Sequence, residues 1–149
     1  MVLERTLLAA APNEGCALLL GQCQGSCLIL QAIWPCCNTW QPAEERLQRF
    51  RLDPREQLLA QRWGRSRGLL VLGAAHSHPS SEAVPSTTDR QLCFGPTLML
   101  IRSGLQQGLP AMRAWWIPEN EGGDEAPVPS VELPIDLLPD APRAERLGE

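Results

Sequence analysis

Both histidines of this 149-residue chain lie two positions apart at the end of an apolar run: Leu69-Leu70-Val71-Leu72-Gly73-Ala74-Ala75 leads directly into His76-Ser77-His78-Pro79. Such a short apolar segment suits a buried strand, and in extended chain residues i and i+2 project to one side, so His76 and His78 share a face. Pro79 then turns the chain away, and it returns through Val84-Pro85 to bring Ser86 and Asp89 toward the two imidazoles. Two imidazoles and a carboxylate would give Zn²⁺ three protein ligands and leave a fourth position for water, which distinguishes a catalytic zinc from a closed structural one. The stretch therefore reads as a zinc hydrolase site with His76, His78 and Asp89 as ligands. Each part alone is weak: His-x-His occurs by chance, and Ser86-Thr87-Thr88-Asp89 is itself a capping box able to start a helix. The two readings are compatible, because an aspartate in a first helical turn is rigidly held for a metal.

The length suits one domain, able to bury ~70% of the surface its unfolded form exposes. No apolar run approaches the ~20 residues of a membrane span. Glu4 and Arg5 interrupt the region where a signal peptide needs its apolar core, so the expectation is a cytoplasmic protein without membrane contact. In a reducing compartment Cys16, Cys23, Cys27, Cys36, Cys37 and Cys93 read as small buried hydrophobes or free thiols. Cys36 and Cys37, flanked by Trp34 and Trp40, either line a substrate channel or are an incidental pair.

The net charge of −4 hides an asymmetry: residues 119–149 carry nine acids and two arginines, so the body before them is basic. Every basic residue is arginine, and seven lie between Arg46 and Arg67. Such a run is usually a solvated helix face; the sharper reading is a docking patch for an acidic protein partner, with Arg46, Arg49, Arg51 and Arg55 as first candidates. Nucleic acid is not expected, given the acidic overall balance and the lack of a known binding module.

In chain order, Leu3, Leu7, Leu8 and Ala11 predict an opening helix stopped before Pro12. Gly15–Gln22 and Cys27–Ile33 read as strands of a hairpin turning at Gly25-Ser26, with a loop from Pro35 to Pro42. The alternating Gln48–Leu52 suits another strand, and Asp53-Pro54 then caps a helix reaching Gly64 with Leu58, Leu59, Arg62 and Trp63 as its packing stripe. Thr97–Ser103 and Met112–Pro118 are further strands; Trp63, Trp115 and Trp116 read as core or rim residues. Glu119–Pro129 reads as a mobile loop, Val131, Leu133 and Ile135 as a possible edge strand, and Pro139–Glu149 as a fraying end. Strands and helices alternating along one chain predict an α/β or α+β sheet with helices packed on it.

His76-x-His78, seven residues starting with Pro79, Ser86, two residues and Asp89 resembles the signature of the JAMM metallopeptidases, the catalytic branch of the MPN domain family. That family also uses a distant glutamate, in a Pro-x-Glu segment running into an apolar strand that ends in Gly; Pro12-Asn13-Glu14-Gly15-Cys16-Ala17-Leu18-Leu19-Leu20-Gly21 is similar to it. The likeness spans Pro12 to Asp89 by motif and residues 1–118 by layout, leaving 119–149 as an acidic, Pro-rich extension. It implies an MPN-like central mixed β-sheet with flanking helices in a cytidine-deaminase-like layered architecture. It further implies one Zn²⁺ per chain on His76, His78 and Asp89, Glu14 as general base and later acid, and Ser86 as the donor to the oxyanion. Substrates in that family are ubiquitin-like folds; for small bacterial members the resemblance implies sulfur-carrier proteins ending in Gly-Gly and cleaved after that terminus. Two other readings stand beside it: a non-catalytic MPN scaffold that only binds a partner, and a peptidase for small peptides. A cysteine nucleophile is disfavoured, since it would want a partner histidine to form thiolate.

Overall fold

A computed structural model describes residues 1–93, 95–105, 110–119 and 129–139. Its strands are β1 (Cys16–Gln24), β2 (Cys27–Cys36), β3 (Leu70–His78), β4 (Thr97–Ser103), β5 (Met112–Ile117) and β6 (Val131–Leu133). They form one mixed sheet in the order β2-β1-β3-β4-β5-β6, parallel only between β3 and β4. Among the described residues three helices flank it, α1 (Val2–Leu8), α2 (Pro54–Arg65) and α3 (Thr87–Gln91), and a short 3₁₀ turn spans Ala43–Leu47. The α+β architecture is as expected, and none of the described helices is long and apolar enough to cross a membrane.

Strand alternation sorts the apolar side chains into two layers. Ala17, Leu19, Leu98 and Leu100 meet Leu3 and Leu7 of α1 on one face; Met99, Ile101, Trp115 and Ile117 pack on the other with Ala83, from the crossover between β3 and β4. A register shift where Leu19 and Leu20 of β1 meet β3 puts Ala75 on the α1 face. His76 and His78, one and three residues on, therefore point to the crossover side. Gly15 is needed just ahead of β1, since a Cβ there would lie 2.2 Å from the carbonyl oxygen of Leu7.

Two expectations fail. Gln48–Leu52 is not a strand: among the described residues no strand offers it a ladder, and the backbone groups of Arg49 and Arg51 bond to Asn38 and Thr39 instead. The stripe expected on α2 is also misplaced, because Leu58 and Leu59 are more than half exposed while the buried residues are Ala60 and Gly64. Small residues let the helix lie close to the sheet; a Cβ at Gly64 would stand 2.9 Å from Leu20 and 3.0 Å from the Leu69 carbonyl. The expected cap is present, with Asp53 accepting from the Arg55 N–H. β2 runs on through Trp34 and Pro35, taking residues expected in the loop. The expected edge strand is β6, shorter than Val131–Ile135. The expectations for 119–129 and 139–149 fall almost wholly outside the described residues.

Candidate metal centre

β3 continues through both histidines before the chain turns at Pro79, so the strand itself aims them. His76 Nε2 and His78 Nε2 lie 3.0 Å apart, and Asp89 Oδ2 is 3.2 Å from each. All three residues are buried, His76 completely. Asp89 reaches them from the first turn of α3, where the capping box is complete: its backbone N–H donates to Ser86 Oγ at 3.0 Å, and the Ser86 N–H donates to Asp89 Oδ2 at 2.8 Å. The crossover is pinned at several points. The Trp115 indole donates to Ala83 O, Ser103 Oγ to Ser81 O, and the Gly104 N–H to His78 O.

The proton positions follow from the partners. His78 Nδ1 lies 2.7 Å from the Glu82 carbonyl, which can only accept, so this nitrogen carries the hydrogen and Nε2 turns a lone pair toward the cluster. Burial holds His76 below the ordinary imidazole range despite its bond to Asp89. Burial also pushes His78 down, but Asp89 and the Glu82 carbonyl outweigh it and its proton affinity ends raised. Asp89 is held far below the usual carboxylate range, its own desolvation being overcome by the two imidazoles and the Ser86 N–H.

Three donor atoms crowded this way fit a cation better than they fit one another. A tetrahedral Zn²⁺ with bonds of about 2.0–2.2 Å sets its ligand atoms roughly 3.3–3.6 Å apart, close to the separations of 3.0 and 3.2 Å seen here. Among the described residues this is the single group of three or more His, Cys, Asp or Glu side chains with converging ligand atoms. The thiols form no second centre there; all six cysteines are free, and three of them are exposed rather than buried.

Glu14 stands ahead of β1, whose first residue, Cys16, pairs with His76. Its side chain is 3% exposed, and its Oε2 finds no partner among the described residues. Desolvation foremost, opposed by His78 and reinforced by Asp89, raises its pKa to about 8. A cavity of about 480 Å³ opens beside it, walled by the end of α1, by Cys36 and Cys37, and by Asn38 and Arg46. Ser86, at the N-cap of α3, is exposed.

The arginines are not brought to the centre as a patch. Arg46 donates to the Trp40 carbonyl, Arg49 lies over the Trp40 ring and near Glu45, and Arg55 grips Asp53; Arg51 is exposed. Two neighbours of the site escape the sequence reading. The Phe50 ring stacks on His76 at 4.4 Å between centroids, and Asn38 bonds to the Glu14 carbonyl. No local spacing signals either contact, since both depend on how the segment after β2 folds back.

Residues 3–118 match the family model described as prokaryotic homologues of the JAB domain. Among solved structures, the chain is similar to the protein DSY2949 of Desulfitobacterium hafniense, with 32% identity over 89% of this chain and 83% of that one and a TM-score of 0.71. It is also similar to a protein from Salinibacter ruber, with 28% identity over 85% and 90% of the two chains and a TM-score of 0.55. A looser likeness, with 19% identity over 77% and 79% of the chains and a TM-score of 0.47, is to a JAB1/MPN domain protein from Archaeoglobus fulgidus. No match was found among curated proteins.

Proposed function

The chain belongs to the family of prokaryotic homologues of the JAB domain, and from that premise we propose that it is a zinc-dependent amide hydrolase of JAMM type, cleaving after the C-terminal Gly-Gly of a ubiquitin-like or sulfur-carrier protein. The observation that carries this reading is the convergence of His76, His78 and Asp89 within reach of one cation, with the unpartnered carboxyl of Glu14 buried beside them. Bound there, Zn²⁺ would supply a water acidified to a pKa of about 7.

The chain's own groups do the rest. Glu14 takes the proton of the attacking water and returns it to the leaving nitrogen, one carboxylate serving as base and then as acid. Ser86 Oγ accepts from the Asp89 N–H, which leaves its O–H to donate to the oxyanion as the carbonyl becomes tetrahedral. The outer edge of β2 pairs with no other strand among the described residues, so an extended Gly-Gly tail could add there as a further strand. Arg46, Arg49, Arg51 and Arg55 are the proposed contacts for the folded part of the carrier, a role they would share with the internal contacts three of them make.

A non-catalytic scaffold of the same family is the second reading, and it has no use for a buried, unpartnered Glu14. The two separate on one assay: zinc-loaded protein should hydrolyse a Gly-Gly amide, lose that activity to a chelator and regain it with zinc. Full zinc loading without hydrolysis of carrier conjugates, Gly-Gly amides or small peptides would favour the scaffold instead.

A further inference from the structure

The sheet aims the histidines but not Glu14. β1 begins its pairing at Cys16, so both backbone polar groups of Glu14 must be held by something else. Its N–H donates to the Arg46 carbonyl at 2.8 Å, and its carbonyl accepts from Asn38 Nδ2 at 3.0 Å. Both partners belong to the segment from Asn38 to Arg51, which folds back after β2.

Asn38 is what closes that segment. Its Nδ2 also donates to the Arg49 carbonyl at 2.8 Å, while its Oδ1 accepts from the backbone N–H of Trp40 at 3.1 Å and of Arg51 at 3.2 Å. Two carbonyls on the nitrogen side and two N–H groups on the oxygen side use both donors and both lone pairs, and a flipped amide would satisfy none of them. Thr39 adds a parallel tie, its N–H and hydroxyl both donating to the Arg51 carbonyl. The loop so closed carries Arg46 to the Glu14 N–H and lays Phe50 against His76.

We propose that Asn38 is a positioning residue: its carboxamide locks the segment to Arg51 onto the metal corner and thereby fixes the backbone that presents Glu14. The proposal rests on Glu14 acting as the base. A displaced base of this kind costs on the order of 10²-fold in rate, whereas His76, His78 and Asp89, carried by β3 and α3, keep their places.

The test compares zinc-loaded Asn38→Ala, Glu14→Gln and the double variant on a Gly-Gly amide. Asn38→Ala should bind a full equivalent of zinc and lose about 10²-fold in kcat with KM unchanged, and the double variant should be no slower than Glu14→Gln alone. A raised KM with kcat intact would make Asn38, which borders the cavity, a substrate contact and overturn the proposal. So would a further loss in the double variant equal to that of Asn38→Ala by itself, which leaves Glu14 in its role. Parent-like turnover in Glu14→Gln would instead overturn the functional reading, and Asn38 with it. If Asn38→Ala does not fold, amide exchange in the metal-free parent decides: the N–H groups of Glu14, Trp40 and Arg51 should open as one unit, and separate opening free energies would overturn the proposal.

Discussion

The corner where β1, β3 and α3 meet and the run from Arg46 to Arg67 both concentrate charge, but they hold it in opposite ways. At the corner Glu14, His76, His78 and Asp89 are withdrawn from water; Glu82 and Ser86 fix His78 and Asp89 from within the crossover, while Glu14 is held by Asn38 and Arg46 from a distant part of the chain. Along the run most arginines are exposed, and those with partners find them nearby in the chain, Arg49 in Glu45 and Trp40, Arg55 in Asp53, Arg67 in the Trp63 ring. Burying polar atoms without partners costs about 1–3 kcal/mol each, and the corner leaves Glu14 Oε2 and His76 Nδ1 in that state. Exposed pairs such as those of the run contribute about 0–1 kcal/mol. Charge held at a cost marks a buried site; charge held cheaply leaves the run free to meet solvent or a carrier.

That contrast breaks or sharpens on four measurements. The largest effect belongs to Glu14→Gln, which should keep its zinc and lose about 10²- to 10⁴-fold in turnover, since one residue serves as base and then as acid; parent-like rates would remove Glu14 from the mechanism. Ser86→Ala should lose about 10²- to 10³-fold in kcat and about 1 kcal/mol of stability through the lost cap. A loss of stability with kcat intact would reduce Ser86 to a cap.

The third measurement is pH dependence in metal-free protein. Burial raises the Glu14 pKa from 4.5 to about 8, so across that window the folded state binds more protons than the unfolded. Its contribution to stability is therefore lost as pH rises from about 4.5 to 8. The imidazoles contribute pH dependence of their own, His76 shifted down by burial and His78, despite burial, up by Asp89, which makes the difference from Glu14→Gln the informative quantity. The variant should gain on the parent with rising pH, reaching on the order of 5 kcal/mol above pH 8. A pH-independent difference in thermal or denaturant unfolding would show that Glu14 is not desolvated.

The smallest effect is expected in the run. Arg49→Glu and Arg55→Glu should change stability by under about 0.5 kcal/mol and leave cleavage of a short Gly-Gly amide unchanged. Slower cleavage of a carrier conjugate, easing at higher salt, would identify a docking surface; equal behaviour toward both substrates would leave it solvated.

Legibility followed the same divide. His76, His78, Ser86 and Asp89 lie in one short stretch whose strand and cap are local, so the sequence alone brought them together, and Glu14 was visible through the Pro-x-Glu segment entering β1. Asn38 and Phe50 were not, because a loop that folds back over many residues leaves no periodic trace. Gln48–Leu52 had the alternation of a strand but, among the described residues, no partner strand to pair with. On α2 the leucines drew attention to the wrong face, since close approach to Leu20 and Leu69 selects Ala60 and Gly64 over larger side chains.

Metal content of the purified protein tests the central claim most directly. The parent should carry one zinc per chain, and His76→Ala and His78→Ala should each lose it while retaining the fold. Stoichiometric zinc retained in both variants would contradict the account and move the metal to the cysteines.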